Sequence, residues 1–164
     1  MLPCRNFKMK YSIRRLRADE LAIAMDLAWD TFVRYEAPDY SQEGVESFRR
    51  SIIYNPEFHE AVIAGRNRIW GAFDGEKLIG LFAMCGASHI CLVFTHHAYH
   101  RQGVATAIFH RLLADIRQEE PQLKRLTLNS SPYGKPFYLH CGFYPTDDEK
   151  TVDGIRFTPM AFDL

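Results

Sequence analysis

The chain has no surplus of charge: 20 Lys and Arg are balanced by 20 Asp and Glu, for a formal net charge of zero. A protein that holds nucleic acid by neutralising phosphates is normally basic, so this balance argues against that class. Long apolar runs are missing too. None approaches the roughly 20 residues that cross a bilayer, so no membrane partner is expected. The opening MLPCRNFKMK carries charge with no apolar stretch behind it, which argues against a secretion signal. Cysteine is scarce: Cys4, Cys85, Cys91 and Cys141 show no CxxC spacing. Reduced, buried thiols in a cytoplasmic protein are therefore expected, with neither disulfide nor metal. Two nucleotide-binding patterns, GxxxxGK followed by Ser or Thr and GxGxxG, are absent. With no repeat or linker and 164 residues in all, the chain reads as a tail over 1–10 and a single domain over 11–164.

What is present is concentrated between His89 and Gln118. His89 to Phe94 is a short, mostly apolar run suited to a buried strand. A polar bend from Thr95 to Gln102 leads to Gly103. Val104, Ile108, Leu112 and Ile116, with Phe109 and Leu113 beside them, then mark one apolar helix face. Strand, bend, glycine and helix start form an anion-binding device, because first-turn amides lack partners within the helix and the peptide dipoles favour negative charge there. Gly103 lets backbone and ligand approach without a Cβ between them. A helix-turn-helix reading of 100–118 fits poorly, since the charge is neutral and no short helix precedes it.

The rest of the chain supplies a sheet and its covers. Tyr11 to Arg17 alternates like a half-buried strand. Asp19 is a candidate N-cap for a helix from Glu20 to about Tyr35, and Ser41 for another from Gln42 to about Ile52, with Pro38 breaking the chain between them. Arg68 to Asp74 and Lys77 to Met84 read as a hairpin turning at Asp74-Gly75. Arg125 to Leu128 is a short strand. A short or bent helix is expected to start near Pro132 and to end at Gly142, and a hairpin over 151–162 to turn at Asp153-Gly154. A parallel neighbour for the central strand follows from the crossover helix 104–118. The fold class is therefore α/β, with a single mixed sheet.

Two motifs narrow the function. His100-Arg101-Gln102-Gly103-Val104-Ala105 resembles the Q/R-x-x-G-x-G/A pyrophosphate loop of the GCN5-related N-acetyltransferases (GNAT), with His100 standing where that family usually has Gln or Arg. About 25 residues on, Asn129 at a strand end and Phe137-Tyr138-Leu139-His140-Cys141-Gly142-Phe143 resemble the family's C-terminal F-Y-x-x-x-G-F signature. The resemblance implies a mostly antiparallel twisted sheet of about six to seven strands, a central parallel pair splayed at the cofactor site, and about four flanking helices. It implies acetyl-coenzyme A as co-substrate and direct acetyl transfer to an amine in a ternary complex.

Residue by residue, the resemblance implies that the backbone of Val93, Phe94 and Thr95 meets the pantetheine arm and the oxyanion. The amides from His100, Arg101 and Gln102 through Gly103, Val104, Ala105 and Thr106 would hold the pyrophosphate, and Asn129 would contact the pantetheine. Tyr138 matches the general acid for the leaving thiolate. The base is not fixed: the central strand carries no carboxylate, His89 at its start is the candidate, and Glu36 and Glu43 come after it. Tyr35, Glu36 and Tyr40, in an acidic and aromatic elbow, are candidate substrate contacts. Cys91 is the one sensible nucleophile for a rival ping-pong route. No metal is expected, the His96, His97 and His100 spacing being that of no helical pair. The acceptor is read no more finely than a small-molecule or peptide amine, a homodimer is compatible with the family, and a non-catalytic acyl-coenzyme A sensor is the alternative.

Overall fold

β4 (His89–Thr95) lies in the middle of the sheet, and a computed structural model that describes residues 10–164 shows how the chain is wound around it. The strand order is β1-β2-β3-β4-β5-β8-β6, with β7 paired to β8. The other strands are β1 (Ser12–Arg15), β2 (Asn67–Asp74), β3 (Lys77–Cys85), β5 (Arg125–Ser130), β6 (Tyr144–Pro145), β7 (Lys150–Val152) and β8 (Ile155–Asp163). The β4–β5 pair is parallel and the remaining pairs are antiparallel, as the crossover helix requires. The expected tail, apart from Lys10, lies outside the described residues. Among the described residues no helix is long and apolar enough to cross a membrane.

Each face of the sheet has its own core, and β2 shows why. Trp70 and Ala72 point to one face and Ile69 and Phe73 to the other, following the two-residue period of a strand. α4 (Val104–Glu119) and α5 (Lys135–Cys141) cover the first face, burying Ile108, Leu112 and Ile116 at the expected helical spacing. α1 (Leu21–Tyr35), α2 (Gln42–Phe48) and α3 (Pro56–Ile63) cover the second. β3 is therefore buried on both sides, which accounts for its unbroken apolar run.

Several expectations need correction. Asp19 does not cap α1. A short 3-10 turn over Ala18–Glu20 precedes the helix, and the Glu20 carboxylate accepts from the Arg17 backbone N–H at 2.7 Å while pairing with Arg14. That carboxyl is held down to about 2, chiefly by its bond from Arg14. Ser41 does cap α2, accepting from the Gly44 N–H at 3.2 Å, but the α-helix ends at Phe48 and a π-turn, Arg49–Ile53, completes it. α3 was not foreseen; Asn55 caps it and Pro56 takes the first-turn position where no N–H is needed. α5 is short, as expected, but begins at Lys135 instead of near Pro132, so Pro136 falls in the first turn, where its missing N–H costs nothing. Gly142 ends it in the left-handed conformation, φ 103°.

The cysteine expectation fails at one pair. Cys85 and Cys91 form a disulfide, with Cα atoms 5.9 Å apart, while Cys141 is free. The reason lies in strand register. Ala83 pairs Leu92 and Met84 pairs Ile90, so Cys91 is an extra residue bulged out of β4 toward the end of β3. A spacing of six in sequence carries no sign of that proximity.

Candidate active site

The bulge at Cys91 is also where β4 parts from β5. The two strands pair only at His89 with Thr127 and Ile90 with Leu128. From Cys91 to Thr95 the edge of β4 that faces β5 has no strand partner, although its other edge stays paired to β3 as far as Gly80 with Thr95. Unpaired strand edges present backbone donors and acceptors to whatever extended group lies beside them. Two cavities open at this gap, one of about 480 Å³ and one of about 410 Å³. Their walls share Glu36, Val93, Phe94 and Tyr138.

The larger cavity runs from that junction to the start of α4. Val93, Phe94 and Thr95 line it, followed by His100, Arg101, Gly103, Val104, Ala105 and Thr106. Arg101 has φ 60° and Gly103 φ 75°, and α4 begins with no side chain capping its first amides. Left-handed residues just before a helix start turn successive N–H groups inward, the form of an anion-binding nest. Other side chains brace this loop. His100 Nε2 donates to the Thr95 carbonyl at 2.7 Å, and its ring lies 4.7 Å from that of Tyr35. Gln102 is turned away, its Oε1 accepting from the Tyr11 hydroxyl at 2.8 Å, and it does not line the cavity. Tyr35 stacks on Tyr133 at 5.1 Å and lines this cavity, not the acceptor side for which it was a candidate.

Thr31, on α1, was not anticipated. Its hydroxyl is buried, lacks a hydrogen-bond partner and belongs to the wall of the larger cavity. A buried hydroxyl without a partner costs free energy unless a ligand supplies one. In sequence it is one small residue on an otherwise apolar helix face, which gives no signal.

The smaller cavity lies between the end of α1, α2, β4 and the β7–β8 turn. Glu36, Tyr40 and His89 line it, as do Asn129, Ser131 and Asp153. Asn129 is thus on this side of the junction, at the splayed end of β5. His89 is bonded through Nδ1 to Thr127 Oγ1 at 2.9 Å, and burial lowers its pKa. It stands four residues from Val93, roughly 13 Å along an extended strand. Ser131 and Asp153 were not singled out from the sequence.

The junction itself holds two ionisable groups. Burial raises the Glu36 carboxyl to about 7, helped by nearby Asp39 and opposed by the Ser131 hydroxyl. Tyr138 is buried on α5, and desolvation, with Glu36 adding to it, pushes its phenol well above the ordinary tyrosine value. A carboxylate that titrates near neutrality beside a phenol that stays protonated is an acid–base pair with separated roles.

Known proteins share this fold. The family model for an acetyltransferase (GNAT) domain matches residues 36–164. A GCN5-related N-acetyltransferase from Rhodopseudomonas palustris superposes with a TM-score of 0.78 at 18% identity, over 93% of this chain and 95% of that one. The PaiA N-acetyltransferase from Thermoplasma acidophilum, solved with coenzyme A, gives 0.73 at 19% identity over 95% and 100%. Spermidine N-acetyltransferase from Vibrio cholerae, solved with coenzyme A and spermine, gives 0.63 at 14% over 94% and 95%. At such identities these structures establish the fold. No curated protein matches the chain by sequence.

Proposed function

Because the chain belongs to the GNAT acetyltransferase family, we propose that it moves an acetyl group from acetyl-coenzyme A to a primary amine of a small molecule or peptide, by direct attack in a ternary complex. The observation that carries this is the meeting of two cavities at Glu36, Val93, Phe94 and Tyr138. The larger offers what a nucleotide thioester needs: a nest of amides for its diphosphate, an unpaired β4 edge for its pantetheine amides, and the lone Thr31 hydroxyl. The smaller admits the amine from the opposite side. Bringing both reactants to one point replaces an encounter in solution by a positioned one.

Each proton then has a carrier. An amine arrives as an ammonium and must lose a proton to become a nucleophile. Glu36, poised at about 7, can take it at neutral pH, and this favours it over His89, which burial weakens as a base and which lies at the far end of the strand. A backbone N–H on the free edge, at Val93 or Phe94, can stabilise the oxyanion. As the carbonyl re-forms, the carbon–sulfur bond breaks and Tyr138 gives its proton to the departing thiolate, whose conjugate acid is near 8.5 by analogy with cysteine, while the second proton shed by the acylated nitrogen restores the phenol. The ping-pong rival loses its nucleophile, since Cys91 is bonded to Cys85.

The test is a calorimetric titration with coenzyme A followed by an assay of thiol release over a panel of amines. Tyr138→Phe should lower kcat on the order of 10² and leave coenzyme A affinity nearly unchanged. Unaltered turnover across the pH range would remove Tyr138 from the mechanism. Binding without turnover of any amine would favour a sensor.

A further inference from the structure

The smaller cavity also carries information about what it accepts. Its apolar wall mixes aromatic side chains, Phe32, Phe48 and Phe157 alongside Tyr40, with aliphatic ones such as Ile52 and Ile155. Its charged wall is acidic: Glu36 at the inner end and Asp153 at the β7–β8 turn, with Asp39 close behind Glu36. Among the described residues lining it there is no lysine or arginine. The other titratable groups are His89, which burial disfavours as a cation, and the two phenols of Tyr40 and Tyr138. Arg156 on β8 is felt at Tyr40, but its guanidinium sits 3.4 Å from Glu149.

The acidic rim is built into the fold. The Ser47 hydroxyl, on α2, donates to the Asp153 backbone carbonyl at 2.9 Å. Beside it Gly44 and Gly154 meet backbone to backbone, so closely that a Cβ on either would collide with the other's main chain. This contact holds the β7–β8 turn against α2 and sets Asp153 at the edge of the cavity.

We propose that the acceptor is a primary amine with a compact apolar or aromatic body and no carboxylate or phosphate of its own. This rests on the acetyltransferase reading above and narrows it. An anionic group on the acceptor would be desolvated beside Glu36, with exposed Asp153 adding negative charge at the rim and no cation in the wall to receive it, which is costly. An ammonium meets the Glu36 carboxylate under an acidic rim, and an aromatic body meets aromatic side chains.

Matched pairs test this: 2-phenylethylamine against L-phenylalanine, and tyramine against L-tyrosine, each with acetyl-coenzyme A at pH 8. The amine of each pair should show a kcat/KM at least tenfold higher. Asp153→Asn, which keeps a side chain that tolerates the left-handed backbone at φ 50°, should shrink that preference several-fold without altering coenzyme A affinity. Where turnover falls below detection, the same ranking is read from the rise in Tm that each compound adds to the coenzyme A complex. Equal or reversed ranking, or no rise with either amine, overturns the inference while leaving coenzyme A binding intact. Failure to bind coenzyme A would instead overturn the acetyltransferase reading, and this inference with it.

Discussion

β4 has two seams, and they behave oppositely. Toward β3 its pairing runs from His89 with Cys85 to Thr95 with Gly80, interrupted only by the bulge at Cys91. Toward β5 it stops after two residues, at Ile90. The same backbone is thus a closed ladder on one side and an open edge on the other. The closed seam supplies rigidity, since β3 is buried between α4 on one face and α1 on the other. In the proposed mechanism the open seam supplies the chemistry, because there an extended substrate can reach main-chain donors and two ionisable groups together. The gap between β4 and β5 exists because pairing is withheld from one strand edge, with the bulge marking where that begins.

The largest effect should come from the open seam. Glu36→Gln is expected to lower kcat/KM by about 10² to 10³ at pH 8 and to abolish an acid limb centred near 7 in the wild-type profile. Linkage gives the same variant an opposite effect on stability. The folded-state pKa is raised from 4.5 to about 7, so ionised Glu36 destabilises the fold as pH rises through that window, and fully so above it. Glu36→Gln should therefore have a higher Tm than wild type at pH 8, and the difference should close by pH 5. A variant that is slower but no more stable at pH 8 would mean the carboxylate is not desolvated.

The fully paired half of the sheet beyond the closed seam offers a smaller and purely structural effect. Trp70 on β2 is fully buried beneath α4 and its indole N–H donates to Asp115 Oδ2 at 2.8 Å. Asp115→Ala leaves that donor without an acceptor, at a cost of about 1–3 kcal/mol, with kcat and coenzyme A affinity unchanged. Urea denaturation beside steady-state kinetics would separate the two. A fall in kcat at full stability would mean the halves are not as independent as their pairing suggests.

Much of the closed half could be read from sequence because its signals are local and repetitive. The β2–β3 hairpin follows from two apolar runs around Asp74-Gly75, and the buried face of α4 from Val104, Ile108, Leu112 and Ile116. Gly103, Arg101 and Tyr138 were legible through motif resemblance, and the cavity walls include all of them. What escaped depends on three-dimensional proximity. The Cys85–Cys91 bond requires the bulge, and the role suggested for Glu36 requires burial at a junction that no spacing encodes. α3 was missed because it is only eight residues long and buries one side chain, Phe58, too short a stretch to establish a helix period. Asp153 could have been noticed, as Asp-Gly turns often present their carboxylate, but nothing local says the turn folds over α2.

Two glycines, one before α4 and one after α5, should differ by the smallest margin. Gly103 and Gly142 both occupy the left-handed region, at φ 75° and 103°, so alanine should cost each about 1 kcal/mol or somewhat more in backbone strain. Their surroundings differ. A Cβ at Gly142 would lie 3.3 Å from Cε2 of the half-buried Phe162 ring, whereas at Gly103 it would meet no protein atom within 4 Å. Gly103→Ala is therefore expected to weaken coenzyme A binding several-fold, because the relaxed backbone turns its amides out of the nest. Gly142→Ala should leave that affinity alone while losing at least as much stability. Calorimetric titration of both variants decides it: equal affinities would mean that the conformation at Gly103 merely starts a helix, and that the diphosphate is held by side chains.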